Sequence, residues 1–294
     1  MITVFGSANM DLVAYTARAP RLGETVTGRD FRTVPGGKGA NQAVAAARAG
    51  GEVTFLGAVG SDAFGADLRG TLAGAGVDVT LLRRVPGASG IAHIVVDDRG
   101  GNAIVVVPGA NGAVTAPTDA ERAVIARSRA LLLQLELPMA AVTAAARAAR
   151  GAGVPVVLTP APAQPLPDDL IDAVTLLLPN EHEAAGITGA ADPSVALDKL
   201  LERVEEAVIT LGSEGALYGS RSGERLHVPA VPVQAVDTTA AGDTFAGALA
   251  VARAEGRPMP DALRFAAAAA ALSVRREGAS TSMPVRADID AALG

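Results

Sequence analysis

The stretch VDTTAAGDTF, residues 236–245, sets a carboxylate, Asp243, directly behind three small residues, Ala240, Ala241 and Gly242. Phe245, Ala248, Leu249 and Ala252 recur downstream at helical spacing, and Gly256 and Pro258 close the pattern, so Asp243 is expected in a first helical turn. An acidic residue there can simply cap the helix and favour the positive end of its dipole. The small residues suggest more, because they expose successive backbone N–H groups with no side chain in the way, the arrangement by which a helix terminus holds an anion. A carboxylate beside an anion site repels its ligand, which is a poor device for structure alone. It suits phosphoryl transfer: the carboxylate takes the proton of an attacking hydroxyl while the amides hold charge on the transferring group.

Such chemistry needs an alcohol and a nucleotide. GSANMDL, residues 6–12, places Asn9 and Asp11 two apart at the end of a predicted first strand, suited to polyol recognition. PGGKGANQAVAAARAG, residues 35–50, is not a P-loop, which would need glycine at 32 and Ser or Thr at 39 where the chain has Arg32 and Gly39. It still offers a backbone that can approach a ligand closely, with Lys38 and Asn41 at a helix start, or else a tight turn with an ordinary cap. Glu136 closes ALLLQLE and is either solvated at the rim or aimed at a ligand. Asn180 and Glu183, three apart in LLLPNEHEAAG, share one helix face and form either a capping pair or a seat for hydrated Mg²⁺. His93, His182 and His227 lack zinc-ligand spacing and are expected on the surface or lid. ITLGSEGA, residues 209–216, is a strand and Gly-rich turn suited to a nucleotide's ribose and phosphates. All of these fall at carboxyl ends of predicted strands and so converge on one crevice.

The elements that must position them alternate. Short runs rich in Val, Ile and Leu (EVTFLGAV, ALLLQLE, VPVVLTP, AVTLLLPN, AVITLGS) are separated by Ala-rich helical patterns, including helices from Asp62 and after Pro138. That alternation is the mark of an α/β fold with strands buried on both faces of a parallel sheet. Residues 90–109 read instead as two strands about a polar turn and residues 24–34 as short alternating strands, together a small β-sheet added to the main one. One domain of 294 residues with this appendage accounts for the chain, and a hydrophobic content of 49% supports a large core. The net charge of −6 argues against nucleic-acid and anionic-membrane partners and for small molecules. The longest uncharged stretch, Gly100–Thr118, is broken by Pro108 and Pro117 and is not a spanning helix. Without cysteine or a leader-like start, the expected location is cytoplasmic.

These motifs resemble the ribokinase branch of the PfkB carbohydrate kinase family, from GSANMD through GETVTG, GGKGANQAVAA, LLLQLELP, TPAPA, PNEHEA, ITLGSEGA and VDTTAAGDTF to REGASTSMP. The GGKGANQA form is more specific than the family-wide pattern. The resemblance implies a ribokinase-like three-layer α/β/α sandwich with a mostly parallel central sheet and a β-sheet lid built from about residues 12–35 and 88–109, which commonly pairs two subunits as a homodimer. It implies transfer from ATP to the terminal 5-hydroxyl of D-ribose. Asn9, Asp11, Gly37, Lys38, Asn41 and Glu136 then correspond to the sugar site, and Asn180 and Glu183 to the phosphate and Mg²⁺ site. Thr210, Leu211, Gly212, Ser213, Glu214 and Gly215 correspond to the nucleotide strip, while Ala240, Ala241, Gly242 and Asp243 correspond to the anion hole and base. Ala267 stands where the family often carries a larger polar residue beside adenine, which leaves base selectivity open. Another sugar or a nucleoside as acceptor, or a non-catalytic sugar-binding regulator, are the alternatives.

A monovalent cation is also expected. Asp237 lies in a loop that bends towards the anion hole, and RREGASTS follows the next long helix; carbonyls from two loops with one carboxylate suit K⁺ better than Mg²⁺. Asp237 can alternatively just cap its own turn. The resemblance matches the K⁺ positions to Asp237, Thr239, Ser273, Arg276, Gly278 and Ser282.

Overall fold

Val4 and Phe5 are adjacent in one strand yet belong to opposite hydrophobic cores, and the same alternation recurs at Leu132 against Leu133, Val157 against Leu158 and Val208 against Ile209. Strands buried on both faces, each feeding two cores by the period of two, need helices on both sides of the sheet. The computed structural model describes all 294 residues and has that form.

The chain runs β1 (Ile2–Phe5), β2 (Asn9–Thr16), β3 (Gly28–Gly36), α1 (Lys38–Arg48), β4 (Val53–Leu56), β5 (Ala58–Gly60), α2 (Ala63–Gly74), β6 (Arg83–Val85), β7 (Gly90–Val96) and β8 (Asn102–Val107). It continues through α3 (Asp119–Ile125), β9 (Leu131–Leu133), α4 (Met139–Gly151), β10 (Val156–Leu158), α5 (Asp168–Ile171), β11 (Leu176–Leu177), α6 (Glu181–Thr188) and α7 (Pro193–Leu201). It ends with β12 (Glu206–Thr210), β13 (Ala216–Ser220), β14 (Arg225–Val228), α8 (Ala241–Ala254), α9 (Met259–Ser273) and α10 (Arg286–Ala292). The central sheet has the order β14-β13-β12-β11-β10-β9-β1-β4, parallel from β12 to β4 and antiparallel at β13 and β14. One core draws on α1, α2, α8, α9 and α10 through Val44, Leu68, Phe245, Phe265 and Ile289. The other draws on α3 to α7 through Ile125, Ala145, Leu170, Ala184 and Leu197. No helix is long and apolar enough to cross a membrane.

A second sheet of order β3-β2-β7-β8 stands apart from the first. Phe31 on β3 and Ile104, Val105, Val106 and Val107 on β8 are exposed. Asn9 and Asp11, read from sequence as the end of the first strand, instead open β2 in this sheet, because the chain breaks at Gly6–Ala8 and resumes as an alternating strand, NMDLVAYT. The short strands expected over 24–34 are one strand, β3, paired from Gly28 to Gly36 with β2, and residues 24–27 lie outside it.

Candidate active site

Asp243 does not cap its own helix. The N-cap of α8 is Ala240, with no side-chain cap bond, and the carboxylate turns to α1: Asn41 Nδ2 donates to Oδ2 at 3.2 Å and Gln42 Nε2 to Oδ1 at 3.1 Å. Helix contact makes this possible, for a Cβ at Gly247 would come within 2.7 Å of the Gln42 carbonyl oxygen, so the two backbones lie against each other. Burial pushes the Asp243 carboxyl up to about 6; the Lys38 charge and the bonds from Gln42 and Asn41 oppose that, and Glu136 adds to it.

Ala240 is the one non-glycine residue in the left-handed region, at φ 59°. A Cβ there is strained, which marks a turn held by its surroundings. The Ala241 amide donates to Thr238 O at 3.2 Å, whereas neither the Gly242 nor the Asp243 amide has a protein acceptor. The free amides sit where the small residues predict an anion site.

The Gly-rich segment presses on the connection between β1 and β2. Gly37 has φ 91°, and a Cβ on it would stand 2.7 Å from the Asn9 amide nitrogen; one on Gly39 would stand 2.5 Å from that of Ser7. Glu136 Oε2 ties the three pieces together, accepting from Lys38 N at 3.0 Å, from Asn9 Nδ2 at 3.4 Å and from Ser7 Oγ. Asn9 Oδ1 accepts from Asn111 Nδ2 at 2.7 Å, and Asn111 also pairs with both backbone groups of Ala8. So Asn9 and Glu136, read as ligand groups, spend much of their hydrogen-bonding capacity on the loop.

Three groups remain for a ligand. Asp11, against which Gly36 packs so closely that a Cβ would meet Oδ2 at 2.4 Å, is pushed up to about 7 by burial and by Glu136 and Asp243, with Lys38 opposing. Burial pulls the Lys38 ammonium down, but Asp243, Glu136, Glu183 and Asp11 together hold it above the usual lysine value. Asn41 Oδ1 is buried and has no partner. A buried orphan acceptor calls for a donor, and a hydroxyl supplies one.

Asn180 and Glu183 form a capping box at the start of α6: Asn180 Oδ1 accepts from Glu183 N at 2.8 Å and Glu183 Oε2 from Asn180 N at 2.9 Å. Burial raises the Glu183 carboxyl, with the Asn180 amide and Lys38 opposing. The second carboxylate oxygen stays available, which fits an ion that keeps its waters rather than a full protein cage. Thr210 bridges to Asn180 and leads through Leu211 into a 3₁₀ turn, Gly212–Glu214. Gly215 has φ 98°, and a Cβ there would meet Val228 O at 2.0 Å, so the strip is held flat against β14. His227 on that strand bonds Glu214 O at 2.9 Å. Ala267 is buried in α9.

Asp237 joins the two loops expected around a monovalent ion. Its Oδ1 accepts from Thr239 N at 2.9 Å and its Oδ2 from Gly278 N at 2.9 Å. These bonds hold the carboxyl below its usual range against the effect of burial. Capping of its own turn is thus present together with a tie to the second loop. With both oxygens bonded to amides, any cation between the loops would depend mainly on main-chain carbonyls. Ser273 and Ser282 are buried near that loop's ends, while Arg276 is exposed.

Ser7, Gln42, Asn111, Gln134 and Thr159 escape sequence reasoning, although all are buried in or behind this site. Their one signal is a polar side chain inside an otherwise apolar segment. A depression of about 340 Å³ at the amino ends of β10 to β12 is a separate feature, in which Arg150 and Arg203 are paired with Glu205 and Asp168.

The family model described as pfkB family carbohydrate kinase matches residues 1–286. The chain is 45% identical to the ribokinase of Schizosaccharomyces pombe, over 98% of this chain and 96% of that one. It is 44% identical to the ribokinase of Bacillus subtilis, over 99% of each. Its fold is similar, with a TM-score of 0.94 and 36% identity over 99% of this chain and 98% of the other, to the structure of Arabidopsis thaliana ribokinase complexed with ribose and ATP.

Proposed function

The chain belongs to the pfkB family of carbohydrate kinases, and from that premise we propose that it transfers the terminal phosphoryl group of ATP to the 5-hydroxyl of D-ribose with Asp243 as general base. The observation that carries this reading is the juxtaposition of a buried, upward-shifted carboxylate with the unpartnered amides of Gly242 and Asp243. Asp243 accepts the hydroxyl proton; the sugar oxygen bonds to the γ-phosphorus as the bond to the β,γ-bridging oxygen breaks, and ADP leaves. The Gly242 and Asp243 amides hold charge on the moving group without reorganising. Asp11, Lys38 and Asn41 orient the sugar, with Asn9, Gly37 and Glu136 shaping the loop beneath it. Thr210 to Gly215, with Ala267, take the nucleotide. The small sheet covers the sugar and excludes the water that would otherwise hydrolyse ATP.

Glu183 with Asn180 would hold Mg²⁺, which when bound neutralises phosphate charge. Asp237, Thr239, Ser273, Arg276, Gly278 and Ser282 would hold K⁺, mostly through main-chain oxygens, and firm the loop that leads to Ala240. The exposed apolar residues Phe31 and Ile104 to Val107 fit a homodimer joined through the lid sheets.

In Asp243→Asn, turnover should fall by about 10² to 10⁴ while ribose affinity is largely kept. Near-normal turnover would overturn the assignment of the base. A panel of pentoses, hexoses and nucleosides tests the acceptor, and a preference for anything but ribose would correct it. Sedimentation of Val105→Lys beside the unaltered protein tests the dimer, which the lysine should dissociate.

A further inference from the structure

Gln42 is fully buried, and none of the catalytic or binding roles above uses it. Its Nε2 donates to Asp243 Oδ1 at 3.1 Å and to Thr159 Oγ1 at 3.2 Å, and its Oε1 accepts from Gln134 Nε2 at 2.6 Å. Gln134 is buried too, just past the end of β9, and its own Oε1 has no partner. The orientation of this chain follows from the hydrogen-bonding inventory. An ionised carboxylate only accepts, so Gln42 must turn its NH₂ to Asp243, its carbonyl then faces Gln134, and Gln134 must answer with its own NH₂. From the geometry we propose that Gln42, held in this orientation by Gln134, is a positioning residue that aims Asp243 Oδ1 and stabilises its ionised form, so that the two glutamines set the pH range in which the base works.

This rests on Asp243 being the base. Two amides meet the carboxylate, one per oxygen: Asn41, whose Nδ2 is bonded to Oδ2, and Gln42. The charges that act on it are Lys38 in its favour and Glu136 against it, and Asp11 in turn feels Asp243. Lys38 is held above its usual value and stays charged, and Glu136 is bonded to Lys38 N, Asn9 and Ser7 rather than to Gln42. In a buried setting, removing one bond to the charged form favours the neutral acid.

The test is the pH dependence of kcat in Gln42→Met and Gln134→Met, two near-isosteric changes that keep the volume and remove the amides. In Gln42→Met the acid limb should move up by about one unit or more, as expected for a hydrogen bond to a charged group. Turnover should drop about threefold near pH 6.5 and about tenfold near pH 5 and recover at pH 8.5, with KM for ribose unchanged. Gln134→Met, which never touches Asp243, should show the same shift at smaller size, and it decides the matter if Gln42→Met fails to fold. A packing role alone would lower thermal stability and scale kcat equally at every pH. An unmoved acid limb in the folded variants overturns the proposal. Asp243→Asn, measured alongside, separates the two failures: if it keeps turnover, the base assignment fails, and if it is silent while the limb stays put, only the glutamine proposal does.

Discussion

Replacing Asp243 by asparagine is expected to stabilise the fold at neutral pH while silencing the reaction. The carboxyl is 7% exposed and is pushed up to about 6 in the native state from an ordinary 3.8. Its protonated form is therefore favoured by folding. Stability from this group is fully present below pH 3.8 and is lost as pH rises through about 6. Two units at 1.36 kcal/mol each mean that the ionised carboxylate costs the native state about 3 kcal/mol above pH 7. Asparagine removes that cost but meets Asn41 and Gln42 with one acceptor and one donor, a mismatch worth about 1 kcal/mol. Lys38 also loses the strongest of its attractive charges. A net gain of about 1 to 2 kcal/mol remains, or several degrees in Tm for a chain of this size. Urea and thermal unfolding of both proteins at pH 4.5 and pH 8 check this. The gain should appear at pH 8 and fade at pH 4.5. A variant no more stable at pH 8, or one stabilised equally at both, would refute the claim that function holds a charge here against the fold.

Gly37→Ala should cost several kcal/mol and raise KM for ribose, since a Cβ at φ 91° would lie 2.7 Å from the Asn9 amide nitrogen and displace the loop that Glu136 ties; chemical denaturation and steady-state kinetics read both. Ala240→Gly relieves the left-handed alanine and should add about 0.5–1 kcal/mol of stability, with kcat falling if the strained turn is what aims the amides. Exchanging K⁺ for Na⁺ or a bulky organic cation at constant ionic strength should lower kcat in the unaltered protein, and Asp237→Ala should abolish the difference. Equal rates in all three salts would remove the ion from the account.

The alternation of Val-rich runs with Ala-rich helices made the central sheet readable, because a strand buried on both faces leaves a continuous apolar signature. Asp243 stands out in the sequence for a different reason: the three small residues before it leave backbone amides uncovered, and the structure places it in the first turn of α8 as expected. Gln42 and Gln134 carry no such mark. Each is one neutral amide in an apolar segment, and its role exists only because Gly247 lets α8 settle against α1. Asn9 and Asp11 open β2 rather than close β1, and pattern alone does not show this, since a break of three residues, Gly6 to Ala8, is too short to separate one strand's end from the next strand's start. Asn180 and Glu183 show the reverse limit. The capping pair that the spacing allows is formed, and spacing cannot say whether an ion also uses it.

Strand β8 is an open template at the edge of the small sheet. NAIVVV is exposed along its whole length, is uncharged, contains no proline and lies at the free edge of the small sheet. Six residues of that kind are a template for further strands, and natural edges are usually blunted by lysine, proline or a bulge. Nothing in this edge does so. In the homodimer proposed above β8 would be covered, so dilution, ordinarily a remedy for precipitation, would there unmask a segment prone to fibrous aggregation.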